Sequence, residues 1–173
     1  VLDYLEHAGL EIVPVLIEGS AADVDPKLIR SVTELRNIIS PDVARLAAHR
    51  ATKEQVREIH AYAKAMQIEG QSLDELTEGS LNFWRSIIMA SGNVAYRLAF
   101  NSMIKSFMED SAAFRPVIEQ ELRAGSLYLG VAKAIESGND KLATKKAKAL
   151  VAIGSQAILN IIAQIENAVV KAD

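Results

Sequence analysis

The sequence predicts an all-α fold, an antiparallel bundle of about six to seven helices. Apolar residues recur at three- and four-residue spacing along most of the chain, which is the helical period. Pro26 and Pro116 stand where helical patterns begin, and several glycines stand where they end. Strand patterns are almost absent, since only residues 11–17 (EIVPVLI) read as extended and Pro14 interrupts them.

The composition favours one globular domain. The 173 residues are 50% hydrophobic and 24% charged, enough for a substantial core. The net charge of -3 argues against a stand-alone nucleic-acid binder, and the lack of cysteine excludes disulfides and thiolate sites. Polar residues interrupt each apolar run before about 18 residues, so we expect no membrane span. The N-terminal residues include acidic side chains where a signal peptide carries basic ones, so we expect a cytoplasmic protein.

Helical patterns cover nearly the whole chain. The predicted helices lie near 1–8, 26–50, 53–69, 72–90, 94–113, 116–137 and 140–171. Pro26 and Pro116 suit the first turn of a helix, where a missing N–H costs little. Pro41 lies inside a helical pattern, so we expect a kink or a short break there.

Two helix starts carry a reciprocal capping pattern. Thr52 is followed by Gln55 and Ser72 by Glu75, the spacing at which each side chain can bond the other residue's backbone N–H. The glycines at predicted helix ends are Gly70, Gly92 and Gly138. A left-handed C-cap favours glycine, so these residues predict where the helices end.

No pattern for catalysis or metal binding stands out. His7, His49 and His60 fall on separate predicted helices, and none has a metal-ligand partner at helical spacing. We therefore interpret them as surface histidines. The chain also lacks a GxSxG motif, a phosphate-binding glycine loop and an inward carboxylate pair, so we expect no enzyme.

Polar residues interrupt two apolar stripes. The inward stripe of the 72–90 helix is Leu73, Leu76, Ser80, Trp84 and Ile87. It places Ser80 and Trp84 one turn apart, facing the core. The stripe of the 26–50 helix is Ile29, Val32, Arg36, Ile39 and Val43. A buried guanidinium needs a partner, so Arg36 either extends to solvent, pairs with a core acid, or meets a ligand anion.

The segment Leu81–Met108 also carries polar residues among apolar ones. Arg85 follows Trp84, and we expect it to be buried with the same alternatives as Arg36. Asn101 lies between Phe100 and Met103 on a face that we expect to be buried, where it either bonds neighbouring backbone or lines a ligand pocket.

Three glycines interrupt late helical patterns. Gly125 and Gly130 flank Tyr128 on one predicted helix, and Gly154 lies midway along the last helix. Glycine inside a helix costs about 1 kcal/mol relative to alanine. The alternatives are close packing of helices or space for a ligand.

A cluster of lysines begins the last helix. Lys141, Lys145 and Lys148 share one face, and Lys146 adjoins it. A solvated face is the simple interpretation, and attraction for the phosphates of a ligand or of DNA is the alternative.

Four stretches together resemble a known family. They are residues 31–52 (SVTELRNIISPDVARLAAHRAT), 83–103 (FWRSIIMASGNVAYRLAFNSM), 128–139 (YLGVAKAIESGN) and the long terminal helix. In order and spacing they resemble the effector-binding and dimerisation domain of GntR-type bacterial transcription regulators, FadR subfamily. Residues 1–17 resemble the linker that leaves the DNA-binding domain, which makes 18–173 the ligand-binding domain.

The resemblance also says which positions line the effector site. Many members hold a metal with one Asp and three His, and the corresponding residues here are Ser80, Trp84, Tyr128 and Leu150. None is a normal ligand for such a metal, so we expect no metal and no cofactor. Arg85, Asn101 and Tyr128 match the fatty-acid regulator of the subfamily, whereas Ser80, Leu150, Gly154 and Ile158 depart from it.

The expected function follows from that resemblance. A long-chain acyl-CoA or fatty acid would occupy an internal apolar pocket and act as effector. The expected ligand-binding residues are Arg36, Ser80, Trp84, Arg85, Asn101, Tyr128, Leu150 and Gly154. The chain would act as a homodimer and bind DNA through a winged helix-turn-helix outside this sequence. The alternatives are a sensor of another small acid or amphiphile, anchored by Arg36 or Arg85, and a ligand-free dimerisation module.

Overall fold

The described part of the chain consists of helices joined by short turns. A computed structural model describes residues 8–13, 16, 25–109 and 115–170. A 3-10 turn, Leu10–Ile12, precedes α1 (Pro26–Arg50), α2 (Lys53–Ala65), α3 (Leu73–Ser91), α4 (Val94–Glu109), α5 (Arg115–Leu122), α6 (Gly125–Glu136) and α7 (Asp140–Val170). No strand occurs in these ranges, so the predicted all-α bundle is confirmed. All but the last residue of the predicted helix 1–8, His7 included, lies outside the described residues, as does most of the predicted linker.

Local hydrogen bonds set the helix starts as the sequence predicts. Both capping boxes form: Thr52 exchanges bonds with Gln55, and Ser72 with Glu75. The side chain of Asp25 accepts a bond from the Lys27 backbone N–H at 2.9 Å, ahead of α1. These bonds satisfy backbone donors that have no partner within the helix.

Proline does not interrupt α1. The sequence predicts a kink or a short break at Pro41, and of these the break does not occur, because the helix continues from residue 26 to residue 50. Pro41 is buried, as are Ile39 and Val43 on either side of it. Packing of this segment into the core compensates for the backbone hydrogen bond that proline removes.

The predicted helix 116–137 is two helices. The chain turns at Arg123 and Ala124, and Gly125 opens α6 instead of lying inside a longer helix. A Cβ on Gly125 would lie 2.5 Å from the carbonyl oxygen of Met66. This glycine therefore allows close contact between α6 and the end of α2, which is the packing alternative. The apolar period runs on across the turn, so it carries no sign of the break.

The terminal helix α7 is central to the bundle. It packs against α1, α5 and α6, and its contact with α1 is the most extensive between any two helices. Ser155 donates to Asn37 Oδ1 at 2.7 Å, and Arg30 pairs with Glu166 at 2.8 Å across the same contact. The core includes the fully buried side chains of Val43, Ile59, Phe83, Tyr128 and Leu150.

By length and composition, α7 is also apolar enough to cross a membrane. Residues Asp140–Asn167 include an 18-residue stretch with a mean hydropathy of 1.5. The sequence argument that polar interruptions exclude such a stretch is therefore wrong. On this helix Leu150, Ile158 and Ile162 are buried in the bundle. Packing into the core therefore explains why that side of α7 is apolar.

Two glycines of α6 should respond oppositely to alanine. Gly125→Ala should lower the free energy of unfolding by about 1–3 kcal/mol, because its Cβ meets the Met66 backbone. Gly130→Ala should raise it by about 0.5–1 kcal/mol, since its Cβ would lie 3.5 Å from the flexible Lys146 side chain. Urea unfolding of both variants measures the difference. Equal effects would show that Gly125 is not required by packing.

Candidate functional site

A buried hydroxyl pair joins α3 to α6. Tyr128 Oη donates to Ser80 Oγ at 2.9 Å. Tyr128 is 0% exposed and Ser80 7% exposed, so the bond lies in the core. The predicted inward placement of Ser80 is thereby confirmed, and the structure brings it together with Tyr128.

Two aromatic contacts join Tyr128, Phe83 and Trp84. The Phe83 ring packs edge-to-face on Trp84, with centroids 5.6 Å apart, and on Tyr128, with centroids 5.0 Å apart. Edge-to-face contacts place the positive ring edge on the negative face of the neighbour. Phe83 was missing from the sequence-based site, although its three-residue spacing from Ser80 could have indicated it.

Trp84 carries an unsatisfied polar atom. The residue is 6% exposed, and its indole Nε1 is buried with no hydrogen-bond partner in the described ranges. A buried donor without an acceptor costs about 1–3 kcal/mol. Most buried hydrogen-bond donors in native proteins have partners, so the lack of an acceptor for this N–H calls for an explanation.

A buried ion pair lies between α1 and α5. The Arg36 side chain is 22% exposed, and that of Glu121 is 1% exposed. Arg36 Nη1 donates to Glu121 Oε2 at 3.1 Å, and Nη2 contacts Oε1. Burial lowers the pKa of Arg36, but the charge and hydrogen bonds of Glu121 outweigh it, so the pKa is raised. Of the alternatives for Arg36, the structure shows the core acid.

The same carboxylate explains the glycine of α7. Glu121 Oε2 also accepts a bond from the Gly154 backbone N–H at 3.1 Å. A Cβ on Gly154 would collide with that carboxylate and lie 3.2 Å from Ile118. Gly154 is therefore needed for close packing. Leu150, one turn earlier on α7, is fully buried.

Arg85 and Asn101 lie outside this buried region. Both are exposed, and Arg85 Nη1 donates to Asn82 Oδ1 at 3.1 Å on its own helix. Their predicted burial is wrong. Arg85 directly follows Trp84, and one step along a helix turns the side chain by about 100°, away from the face that Trp84 shares with the core.

The histidines differ from one another. His49 is 52% exposed and lies 3.3 Å from Asp140, as expected of a surface residue. His60 is only 17% exposed, so the surface interpretation is wrong for it. Its helix α2 packs against α6, which brings His60 Nε2 to 3.1 Å from Glu136 Oε2 without hydrogen-bond geometry. In the described residues, no three His, Cys, Asp or Glu side chains group so as to hold a metal.

The lysine face of α7 is exposed. Lys141, Lys145 and Lys148 all lie open to solvent, as a solvated face requires, while Lys146 is half-buried. Gly130 on α6 faces the aliphatic part of Lys146.

Comparison with known proteins identifies the family. Residues 31–153 match the family described as FCD domain. The chain belongs to the FCD domain family. FCD domains are the C-terminal effector-binding domains of GntR-family transcription regulators, so the predicted resemblance to that group is confirmed.

Similar proteins agree with this assignment. The chain is 26% identical over 162 residues to the HTH-type transcriptional regulator Mce2R of Mycobacterium tuberculosis, covering 94% of this chain and 67% of that protein. An uncharacterised HTH-type regulator of Mycobacterium bovis matches to the same extent. The galactonate operon transcriptional repressor of Escherichia coli is 27% identical over 90 residues, 50% of this chain and 39% of that protein.

Removing the Glu121 charge should destabilise the FCD domain. Glu121→Gln leaves the Arg36 guanidinium without a counter-charge, so the free energy of unfolding should fall by about 3 kcal/mol. Glu119→Gln, two residues earlier, removes only an exposed pair with Arg123 and should cost less than about 1 kcal/mol. Chemical unfolding measures both. Similar losses in the two variants would contradict the structural role of Glu121.

Tyr128 should make stability depend on alkaline pH. Burial raises the pKa of its hydroxyl above 10.0, and the charge of Glu121 raises it further. The folded state therefore keeps a proton that the unfolded state loses, so this contribution is present below about pH 10 and is lost above it. The Tyr128→Phe variant has no phenolic hydroxyl to titrate, so it serves as the reference. The stability difference between wild type and variant should shrink by up to about 1.4 kcal/mol per pH unit above pH 10. An unchanged difference would contradict the assignment.

Proposed function

We propose that this FCD domain senses a long-chain acyl-CoA or fatty acid and thereby modulates DNA binding by its regulator. The observation that carries the proposal is the chemistry at the four positions that resemble the metal ligands of related domains. They hold Ser80, Trp84, Tyr128 and Leu150, all buried. A serine, an indole, a phenol and an aliphatic chain offer a hydrocarbon ligand contact area and offer a metal-bound carboxylate nothing.

The neighbouring charges support an apolar ligand. Arg36 is a cation that could bind an anionic ligand, but it is already paired with Glu121. A small acid would have to separate this pair and leave the Glu121 carboxylate buried without its partner. An acyl chain makes no such demand, and each buried CH₂ contributes about 0.8 kcal/mol. It would enter by displacing the packed side chains around Trp84 and Leu150.

A route from this site to the N-terminal segment supports signal output. Ser80 and Trp84 lie on α3, α3 packs on α4, and α4 packs on the 3-10 turn that leads to buried Val13. A ligand that favours one arrangement of α3 by a few kcal/mol would shift this contact chain. In the full regulator, we propose, this repositions the DNA-binding domains of a cytoplasmic homodimer. We propose no cofactor, no catalytic role and no membrane contact.

A second candidate comes from a relative. The Escherichia coli protein is named as the repressor of the galactonate operon, which suggests a sugar acid as effector in that branch. By analogy this chain would sense a small organic acid at Arg36. A ligand-free dimerisation role is the remaining alternative.

Palmitoyl-CoA should raise the melting temperature of this chain, and EDTA should leave it unchanged. At a ligand concentration of 100 times Kd the stabilisation is about 2.7 kcal/mol. For a domain of this size that corresponds to a shift of roughly 5–10 °C. A thermal-shift assay with palmitoyl-CoA, palmitate and galactonate measures it. A shift with galactonate alone would favour the second candidate, and no shift with any of the three would contradict an acyl sensor.

A further inference from the structure

The buried site has more hydrogen-bond donors than acceptors. The Ser80 and Tyr128 hydroxyls share one contact, which uses one of their two protons. Within the described ranges the Ser80 side chain makes no other hydrogen bond, although the Thr33 and Thr77 hydroxyls donate to the carbonyl one turn back on their helices. The indole N–H of Trp84, one turn along from Ser80, also has no acceptor in those ranges. The Ser80 hydroxyl and the Trp84 indole N–H, both on the core-facing side of α3, can thus each donate a hydrogen bond to an additional acceptor.

The charges around the site select the kind of acceptor. Burial is the main cause that raises the pKa of Tyr128, and the charge of Glu121 raises this pKa further. Arg36 lowers it, but by less than Glu121 raises it. The Arg36 guanidinium is bound to the Glu121 carboxylate, which is 1% exposed, so Arg36 offers no unpaired positive charge to a ligand. A free carboxylate buried here would lose its hydration without gaining a counter-charge from Arg36, which is costly in the core.

We infer that Ser80, Tyr128 and Trp84 form a subsite for an uncharged carbonyl oxygen, as in an acyl thioester or ester, and not for a free carboxylate. This deepens the proposed acyl sensor and rests on it. The unused hydroxyl proton of the Ser80–Tyr128 pair and the indole N–H donate to the carbonyl, and the hydrocarbon tail packs on the aromatic and aliphatic side chains of the core. Filling the subsite satisfies the donors that the ligand-free core leaves unused.

The indole signal of Trp84 tests this directly. Trp84 is the single tryptophan of the chain, so a ¹⁵N-labelled sample gives one indole N–H resonance. Palmitoyl-CoA should move the indole proton downfield, as a new hydrogen bond does. Hexadecyl-CoA, the thioether with the same tail and head but no carbonyl, should leave it near its starting position and bind about tenfold more weakly.

Esters and acids separate neutral from charged carbonyls. Methyl palmitate should bind about tenfold or more tightly than palmitate, because burying the palmitate carboxylate without a counter-charge costs free energy. Ser80→Ala and Trp84→Phe should each reduce the preference of the chain for palmitoyl-CoA over hexadecyl-CoA. Ser86→Ala is the matched control, since Ser86 is buried on the same helix but donates to the Phe83 carbonyl at 2.7 Å, and it should keep the full preference.

The outcomes distinguish the subsite from the sensor. Equal binding of palmitoyl-CoA and hexadecyl-CoA with no indole shift would overturn the subsite and leave the acyl sensor standing. Tighter binding of palmitate than of its methyl ester would do the same. An indole shift with methyl butyrate, but no binding of any palmitoyl compound, would support the subsite and overturn the long-chain sensor. No binding of any probe would overturn both. If Trp84→Phe fails to fold, the wild-type indole signal still decides.

Discussion

The carboxylate of Glu121 holds the centre of this bundle together. It lies on α5, the shortest α-helix of the described chain, and it accepts bonds from Arg36 on α1 and from the Gly154 backbone on α7. These two helices form the largest contact in the fold. A carboxylate that is 1% exposed is tolerated only because charged and backbone donors satisfy it. Gly154 follows from the same constraint, since any side chain there would displace the carboxylate.

The Arg36–Glu121 pair also shapes the chemistry of the neighbouring site. Because the guanidinium is engaged, the buried region around Tyr128 carries no free positive charge from Arg36. Among the described residues, what remains is the Ser80–Tyr128 hydroxyl pair, an indole N–H without an acceptor and three aromatic rings. Such a surface suits a mostly apolar ligand with one neutral polar group. The Ser80–Tyr128 bond also links α3 to α6, so a ligand that engages it acts on the contact between two helices.

Adjacency in sequence proved a poor guide to which polar residues are buried. Arg85 and Asn101 stand among apolar residues in the chain, yet both are exposed, whereas Ser80 and Trp84 follow the helical stripe and are buried. The stripe is the better predictor because side chains repeat every 3.6 residues around a helix. Conversely, the sequence pattern does not predict the turn at Arg123 and Ala124, because the apolar period continues across it.

The sequence by itself determined the all-α class, the capping boxes, the C-terminal glycine of α3 and the core-facing positions of Arg36, Ser80 and Trp84. Each of these depends on interactions within about one helical turn, which a local pattern records. Only the tertiary structure decided what those side chains meet. Arg36 and Glu121 are 85 residues apart, and Ser80 and Tyr128 are 48 apart. Such pairs form because helix packing brings together faces that are far apart in the sequence. The spacing of apolar residues along the chain does not indicate which faces meet.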